Sequence, residues 1–140
     1  MDVGCLLIPG FPVAIARRDD PSLRTRPIVI GGSPEEHARV RACSLEASLA
    51  GVSPGSTLRK ALTLCPDAVF LPYREAEVAR EQARIEDVLG QYSPAVEVIE
   101  PGHAHLDLRG MARMKAMDEE AFAADLHAAV TLASRLPVRL

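Results

Sequence analysis

Two long amphipathic segments enclose a pair of short strands, and this order constrains the fold more than any other feature. Residues 74–91 and 118–134 both carry apolar side chains at the spacing of one helix face. Between them, residues 96–99 and 104–108 are largely apolar and flank Pro101-Gly102, which is typical of two strands joined by a turn. The pattern therefore predicts the order helix, strand, strand, helix for the second half of the chain.

An apolar strand near the start of the chain extends this pattern. Residues 3–8 are largely apolar and end at Pro9-Gly10, which indicates a buried strand. The whole order is that of the ferredoxin-like βαββαβ unit, with the last strand begun at residues 137–140 and cut off. We expect residues 1–10 to pair with 94–109 in an antiparallel and parallel sheet whose one face both helices cover.

Residues 11–73 form an insertion of shorter elements between the first strand and the first long helix. The predicted elements are helix 11–18, strand 27–30, strand 40–43, a short helix capped by Ser44, helix 56–64 and strand 68–71. The fold class is therefore α/β (α+β), a ferredoxin-like unit of residues 1–10 and 74–140 with a small α/β lobe inserted. The abrupt end suggests a fragment of a longer polypeptide.

Charge and cysteine content limit the function classes. The net charge is −3, although residues 11–73 hold eight basic and six acidic residues and are weakly basic. Cys5, Cys43 and Cys65 form no C-x-x-C pair, which favours reduced, buried thiols and a cytoplasmic protein. No apolar run approaches the ~18 residues that span a bilayer, so we expect no membrane association.

Three collinear stretches carry a resemblance to a known family. They are residues 18–32, with Arg18-Asp19-Asp20-Pro21 and Arg26-Pro27-Ile28-Val29-Ile30-Gly31-Gly32; residues 46–68, with Gly51-Val52-Ser53-Pro54-Gly55; and residues 92–110, with Leu106-Asp107-Leu108-Arg109-Gly110. Together they resemble the fingers and palm of Y-family (translesion) DNA polymerases. The resemblance implies that residues 1–10 and 74–140 form a palm-like domain and that residues 11–73 form a fingers-like insertion.

The resemblance also implies a chemistry that the residues here do not match. The family transfers phosphoryl groups with two Mg²⁺ ions, which are hard cations that prefer carboxylate ligands. Its metal-binding acids align with Leu7 and Pro9 in the first strand, and with Gly102 and His103 near the hairpin. No acid stands at any of these four positions, so we expect no Mg²⁺ cofactor and no catalytic residue.

The nucleotide-binding positions of the family are altered in the same way. The Tyr and Arg that hold the triphosphate align with Leu45 and Ser48, and the aromatic residue that screens the sugar aligns with Pro12. This concerted loss resembles the catalytically deficient ImuB-type branch, whose members are non-catalytic adaptors in damage tolerance. We therefore expect a DNA-repair scaffold or adaptor that meets DNA and replication or repair proteins through regions outside this chain.

Four cationic residues are candidates for DNA contact. Arg39, Arg41, Arg59 and Lys60 lie in the fingers-like segment, where a family member would approach phosphates. The simpler alternative is ordinary surface charge, matched by acids such as Asp19, Asp20, Glu35 and Glu36.

A weak metal candidate lies in the second hairpin strand. Alternate residues of a strand share a face, so His103, His105 and Asp107 point the same way, and Zn²⁺ or Fe²⁺ accepts such a set. The alternative, which we prefer, is a sheet face left polar by the loss of an active site, because the sequence suggests no fourth ligand.

Two other functions remain open from the sequence. One is an active translesion polymerase with an unconventional site, for which Asp107 and Glu100 are the acids near the hairpin. The other is a small α/β module that binds a metal or another ligand. A truncated last strand also predicts that this chain dimerises by pairing sheet edges.

Overall fold

Thirteen helices and strands succeed one another along residues 3–140, the part of the chain that the computed structural model describes. In chain order they are β1 (Val3–Leu7), α1 (Phe11–Asp19), a 3-10 helix (Pro21–Thr25), β2 (Ile28–Ile30), β3 (Ala42–Cys43), α2 (Leu45–Leu49), α3 (Leu58–Leu64), β4 (Val69–Leu71), α4 (Glu75–Gly90), β5 (Val96–Glu100), β6 (His103–Asp107), α5 (Met111–Met114) and α6 (Glu119–Ser134). The part of the predicted first strand that falls on Met1 and Asp2 lies outside the described residues.

The chain divides into two units. The first combines the residues up to Pro9 with Ala76–Leu140, and the second is Gly10–Glu75. We call the first the sheet unit and the second the inserted unit.

The sheet unit is built on three strands in the order β1-β6-β5. β6 is antiparallel to both neighbours, and Leu7 lies opposite His103 while Cys5 lies opposite His105. The predicted pairing of the first strand with the hairpin is confirmed, but the expected parallel pairing is wrong. The crossover through α4 makes β1 and β5 run in the same direction, yet β6 separates them, so the hydrogen-bonded neighbours are antiparallel.

The two faces of β6 differ as the alternation predicts. Ala104 and Leu106 are 1 % exposed and Leu108 is 4 % exposed, whereas the odd-numbered residues of the strand are only half-buried. Further buried side chains of the sheet unit come from the apolar stripes of the long helices, among them Val78, Ile85 and Leu89 of α4 and Phe122, Leu126 and Val130 of α6. The open face is thus the one that carries the histidines.

The end of the sheet unit is fixed by two local features. Asp118 caps α6 by accepting a hydrogen bond from the Ala121 amide at 2.7 Å. After the helix, Arg139 pairs with Leu7 through two backbone hydrogen bonds of 2.8 and 2.7 Å. The expected last strand is therefore present as a single antiparallel bridge on the outer edge of β1.

The inserted unit has its own sheet in the order β3-β2-β4. β2 is fully buried, antiparallel to β3 and parallel to β4. The predicted strand 40–43 contracts to Ala42–Cys43 because the Val40 amide instead donates to the Ser56 carbonyl at 2.8 Å. The predicted helix 56–64 begins only at Leu58, since Thr57 caps it through the Lys60 amide.

Two short helices were not predicted, the 3-10 helix at Pro21–Thr25 and α5 at Met111–Met114. Among the described residues, no helix has both the length and the apolar composition that crossing a membrane requires.

Candidate functional site

The positions that align with the family's metal-binding acids lie mostly together in the sheet unit. Leu7 and His103 face each other across β1 and β6, and Gly102 immediately precedes β6. The Gly102 amide donates to Gln82 Oε1 at 2.9 Å, and its carbonyl accepts from the Ile8 amide at 2.7 Å. Pro9 is exposed just beyond the end of β1. The hairpin turn is thereby held against both β1 and α4.

These residues do not fit a pair of Mg²⁺ ions. Leucine, proline and glycine side chains offer no ligand atom, and the imidazole of His103 is a softer donor than the oxygens that Mg²⁺ prefers. The backbone of Gly102 is already engaged on both its polar groups. We therefore derive no catalytic step through magnesium at this place.

On the open face of β6, the group of possible metal ligands differs from the one that the sequence suggests. His103, His105 and Asp107 share this face and are half-buried, as the alternation predicts. Cys5 of β1 joins the two histidines: its Sγ lies 3.5 Å from His103 Nε2, and it stands directly opposite His105. Cys5 is exposed, so the expectation that all three cysteines are buried thiols is wrong for this residue.

Asp107 is held by a neighbour instead of joining the histidines. Arg109 Nη2 donates to Asp107 Oδ2 at 2.7 Å, and the Arg109 amide also donates to this carboxylate at 3.1 Å. These hydrogen bonds lower the pKa of Asp107 from 3.8 to about 2. The side chains whose possible ligand atoms lie close together are therefore Cys5, His103 and His105, and Asp107 of the weak candidate set is not among them.

The positions aligned with the triphosphate clamp lie in the inserted unit. Leu45 begins α2 and is 70 % exposed, and Ser48 is exposed three residues later on the same helix. Pro12 is in the first turn of α1. Backbone amides there have no acceptor within the helix, so the missing amide hydrogen of proline costs no helical hydrogen bond. None of these three side chains carries a positive charge that would neutralise phosphate.

The guanidinium that bonds α2 is also engaged elsewhere. Arg17 of α1 makes an ion pair of 2.8 Å with Glu46 and donates to the carbonyls of Leu23 and Arg26. The Arg17 hydrogen bond is the largest of the effects that lower the pKa of Glu46. This cluster braces the inserted unit and does not present a free cation to a phosphate.

The four candidate DNA contacts remain on the surface of the inserted unit. Arg39, Arg41, Arg59 and Lys60 are all exposed. Arg39 bonds the Gly55 carbonyl at 2.8 Å, and the guanidinium of Arg41 lies 3.9 Å from the centre of the Tyr73 ring. Within residues 3–140 none of these four pairs with a carboxylate, so the simple matching by neighbouring acids does not hold for them.

One backbone contact brings part of this set together. Arg39 and Thr57 form an isolated antiparallel bridge, which places Arg39 beside the start of the helix that carries Arg59 and Lys60. The guanidinium of Arg41 packs on the ring of Tyr73. The bridge thus brings the backbone of Arg39 close to the start of the helix of Arg59 and Lys60.

A comparison with protein families matches residues 6–140 to the impB/mucB/samB family, the Y-family DNA polymerases. The chain belongs to this family. Because the match covers nearly the whole sequence, the resemblance of the three separate stretches is confirmed at the level of the Y-family domain.

Curated relatives agree with this assignment. The chain is 32 % identical over 128 residues to DNA polymerase IV of Pelotomaculum thermopropionicum, covering 91 % of this chain and 30 % of the relative. It is 37 % identical over 99 residues to DNA polymerase IV of Alkalilimnicola ehrlichii, covering 71 % of this chain and 28 % of the relative. The chain thus spans less than a third of the length of these relatives.

Solved structures share the fold. DinB from Sulfolobus solfataricus matches 99 % of this chain and 40 % of its own with a TM-score of 0.84 at 20 % identity. The insertion ternary complex of Dbh DNA polymerase matches 99 % of this chain and 41 % of its own with a TM-score of 0.82 at 21 % identity. The α/β palm and fingers architecture of this Y-family chain is therefore confirmed.

Two residues of the site were missed by sequence reasoning. The sequence pattern predicts Gln82 only as part of an amphipathic helix, although the residue is 8 % exposed and its side chain holds the hairpin turn. The same kind of pattern predicts Cys5 as one residue of a buried strand. The sequence holds no signal for its exposure, because Val3, Cys5 and Leu7 are as apolar as the buried Leu6.

Proposed function

We propose that this chain is the palm and fingers part of a non-catalytic Y-family polymerase homologue that acts as a scaffold or adaptor in translesion synthesis. The observation that carries the proposal is the donor set at the positions aligned with the family's metal ligands. Leu7, Pro9, Gly102 and His103 supply no carboxylate.

The nucleotide side of the family site supports the same proposal. Leu45 and Ser48 replace a phenol and a guanidinium, and an alkyl chain and a small hydroxyl cannot neutralise a triphosphate. The metal-binding acids and the side chains that bind the triphosphate are thus both missing, although the chain has the fold of the family. In this proposal, the sheet unit is the palm-like domain of residues 1–10 and 74–140, and residues 11–73 are the fingers-like insertion.

The inserted unit retains a surface suited to DNA phosphates. Arg39, Arg41, Arg59 and Lys60 are exposed and have no carboxylate partner among residues 3–140. Cations of this kind contact the backbone and position a protein without reading sequence. In this proposal the domain sits on DNA weakly and without base preference, and contacts with repair proteins come from regions outside this chain, in the cytoplasm.

A thermal melt tests the loss of the nucleotide site. We expect the melting temperature to stay unchanged with millimolar Mg²⁺ and each deoxynucleoside triphosphate. A functional site at about 100 times its dissociation constant would stabilise the fold by roughly 2.7 kcal/mol. For a domain of this size that is a rise of roughly 5–10 °C. The DNA polymerase IV of Pelotomaculum thermopropionicum is the positive control.

The alternative function is an active polymerase whose metal-binding carboxylates stand at other positions than the family's. It merits a test because the curated relatives are named DNA polymerase IV. Its acids would be Glu100, which is exposed on β5, and Asp107, which is already paired with Arg109. Primer extension by the protein decides between the two functions. Extension that Glu100→Gln abolishes, or a triphosphate-dependent rise in melting temperature that EDTA removes, would overturn the non-catalytic proposal.

A further inference from the structure

Three side chains with nitrogen and sulfur donors meet on the open face of the sheet unit. Cys5 of β1 lies opposite His105 of β6, and His103 is two residues away on the same face. The ligand atoms of these three residues all lie within 4.8 Å of one another. β1 and β6 hold them on hydrogen-bonded neighbouring strands, so their relative positions are set by the sheet.

The separations agree with those of a tetrahedral zinc site. With Zn–S near 2.3 Å and Zn–N near 2.0–2.1 Å, a sulfur and a nitrogen ligand are about 3.6 Å apart. Cys5 Sγ and His103 Nε2 are 3.5 Å apart. The two imidazole rings meet edge to face with centres 5.3 Å apart, and the ligand atom of His105 lies within 4.8 Å of the other two.

Two acidic residues of β5, the third strand of this sheet, lie opposite the two histidines. Glu97 of β5 is opposite His105, and Glu100 is opposite His103. Both carboxylates are exposed, and directly opposed residues of an antiparallel pair lie close on one face. They favour a cation here, and Glu97, which lies opposite His105, is a candidate for the fourth ligand.

The donor types select the metal. Thiolate and imidazole are ligands for zinc and similar transition metals, whereas magnesium prefers oxygen. Asp107 does not compete for the metal because Arg109 holds its carboxylate. The face that aligns with the family's magnesium ligands therefore presents a different donor set.

We propose that Cys5, His103 and His105 bind one zinc ion, with Glu97 or water in the fourth position. This site goes beyond the proposed function and does not depend on it, since zinc binding is compatible with either outcome of the nucleotide test.

Cobalt titration tests the site on the untagged, reduced protein freed of metal. We expect one Co²⁺ per chain with a thiolate-to-cobalt charge-transfer band in the near ultraviolet, and displacement of Co²⁺ by Zn²⁺. Cys5→Ser should abolish the band. Both Cys5→Ser and His105→Asn should weaken zinc binding by at least about 100-fold, because losing even a residue that only supports a ligand costs about 10–100-fold.

Two matched controls separate this site from general thiol and imidazole binding. Cys43→Ser removes a half-buried thiol and His37→Asn an exposed imidazole, both in the inserted unit, and neither should change the affinity. A second readout needs no variant: Zn²⁺ should protect Cys5, and not Cys43, from alkylation. A band that persists in Cys5→Ser, equal losses in the control variants, or unprotected Cys5 at saturating Zn²⁺ would each overturn the proposal.

Discussion

Arg109 favours the ionised form of Asp107, the last residue of β6. The guanidinium and the Arg109 amide bond this carboxylate and lower its pKa from 3.8 to about 2. The pair stabilises the folded state fully above the ordinary pKa of an unfolded aspartate. That contribution is lost as the pH falls from about 4 through about 2. Because the pair is exposed to solvent, its effect on stability is small and its effect on titration is the better readout.

We expect Asp107 to titrate near pH 2 in a carbon-detected NMR experiment and to return towards 3.8 in Arg109→Ala. Arg113→Ala is the control, since Arg113 is an exposed arginine that no described contact joins to Asp107. The assignment of the low pKa to Arg109 fails if the midpoint is the same in Arg109→Ala and in the unchanged protein.

Single residues show where sequence reasoning succeeds and where it stops. The alternation of β6 places Ala104 and Leu106 inside and His103 and His105 on the open face, because charged and polar residues mark one side of the strand. β1 has no such marker: Val3, Cys5 and Leu7 are as apolar as the buried Leu6. The encounter of Cys5 with His103, 98 residues later in the chain, arises from strand register, which periodicity does not reveal.

At the scale of elements, Ser44 joins a strand and a helix of the inserted unit. Its hydroxyl accepts hydrogen bonds from the Ile28 amide at 2.9 Å and from the Ala47 amide at 3.3 Å, and the residue is 3 % exposed. It therefore caps α2 and closes the end of β2 with the same oxygen. The predicted capping role of Ser44 is confirmed, and its bond to β2 is an addition.

We expect Ser44→Ala to lower the free energy of unfolding by about 2 kcal/mol in urea denaturation. The reason is that a helix loses its cap and a buried amide loses its acceptor. Ser48→Ala is the control, because Ser48 is exposed on the same helix and such changes stay within about 0.5 kcal/mol. Equal losses in the two variants would contradict the role assigned to the Ser44 hydroxyl.

Element boundaries were predicted less well than element types, and local hydrogen bonding explains why. Thr57, and not Ser56, caps α3, although both are good capping residues. Val40 leaves the predicted strand because its backbone bonds the Ser56 carbonyl. The Val40 bond joins segments on either side of α2, and composition alone cannot choose between Ser56 and Thr57 as the cap of α3.

At the scale of the molecule, the outer edge of β1 is paired at Leu7 alone within residues 3–140. Arg139 bonds only Leu7, and alternation of the backbone turns the amides of Val3 and Cys5 towards the same side as that of Leu7. Such an edge recruits a further strand. We expect the chain to form a dimer through this edge, and light scattering at high concentration should detect it.

Val3→Pro removes one outward amide and should weaken the dimer, whereas Val3→Thr keeps that amide and should not. A clean monomer at high concentration in the unchanged protein would refute edge pairing. Loss of the dimer in both variants would point to the valine side chain instead of the strand edge.

The pairing of β1 with β6 has a consequence for how the chain is made. Val3 finds its partner Asp107 only after more than a hundred residues have left the ribosome, whereas every strand of the inserted unit is complete at Leu71. Contacts so distant in sequence form slowly, and domains assemble as their residues emerge. The inserted unit can therefore fold while β1 is still unpaired. A pause in translation between residues 75 and 107 would prolong the time for which this apolar strand is exposed to chaperones and to aggregation.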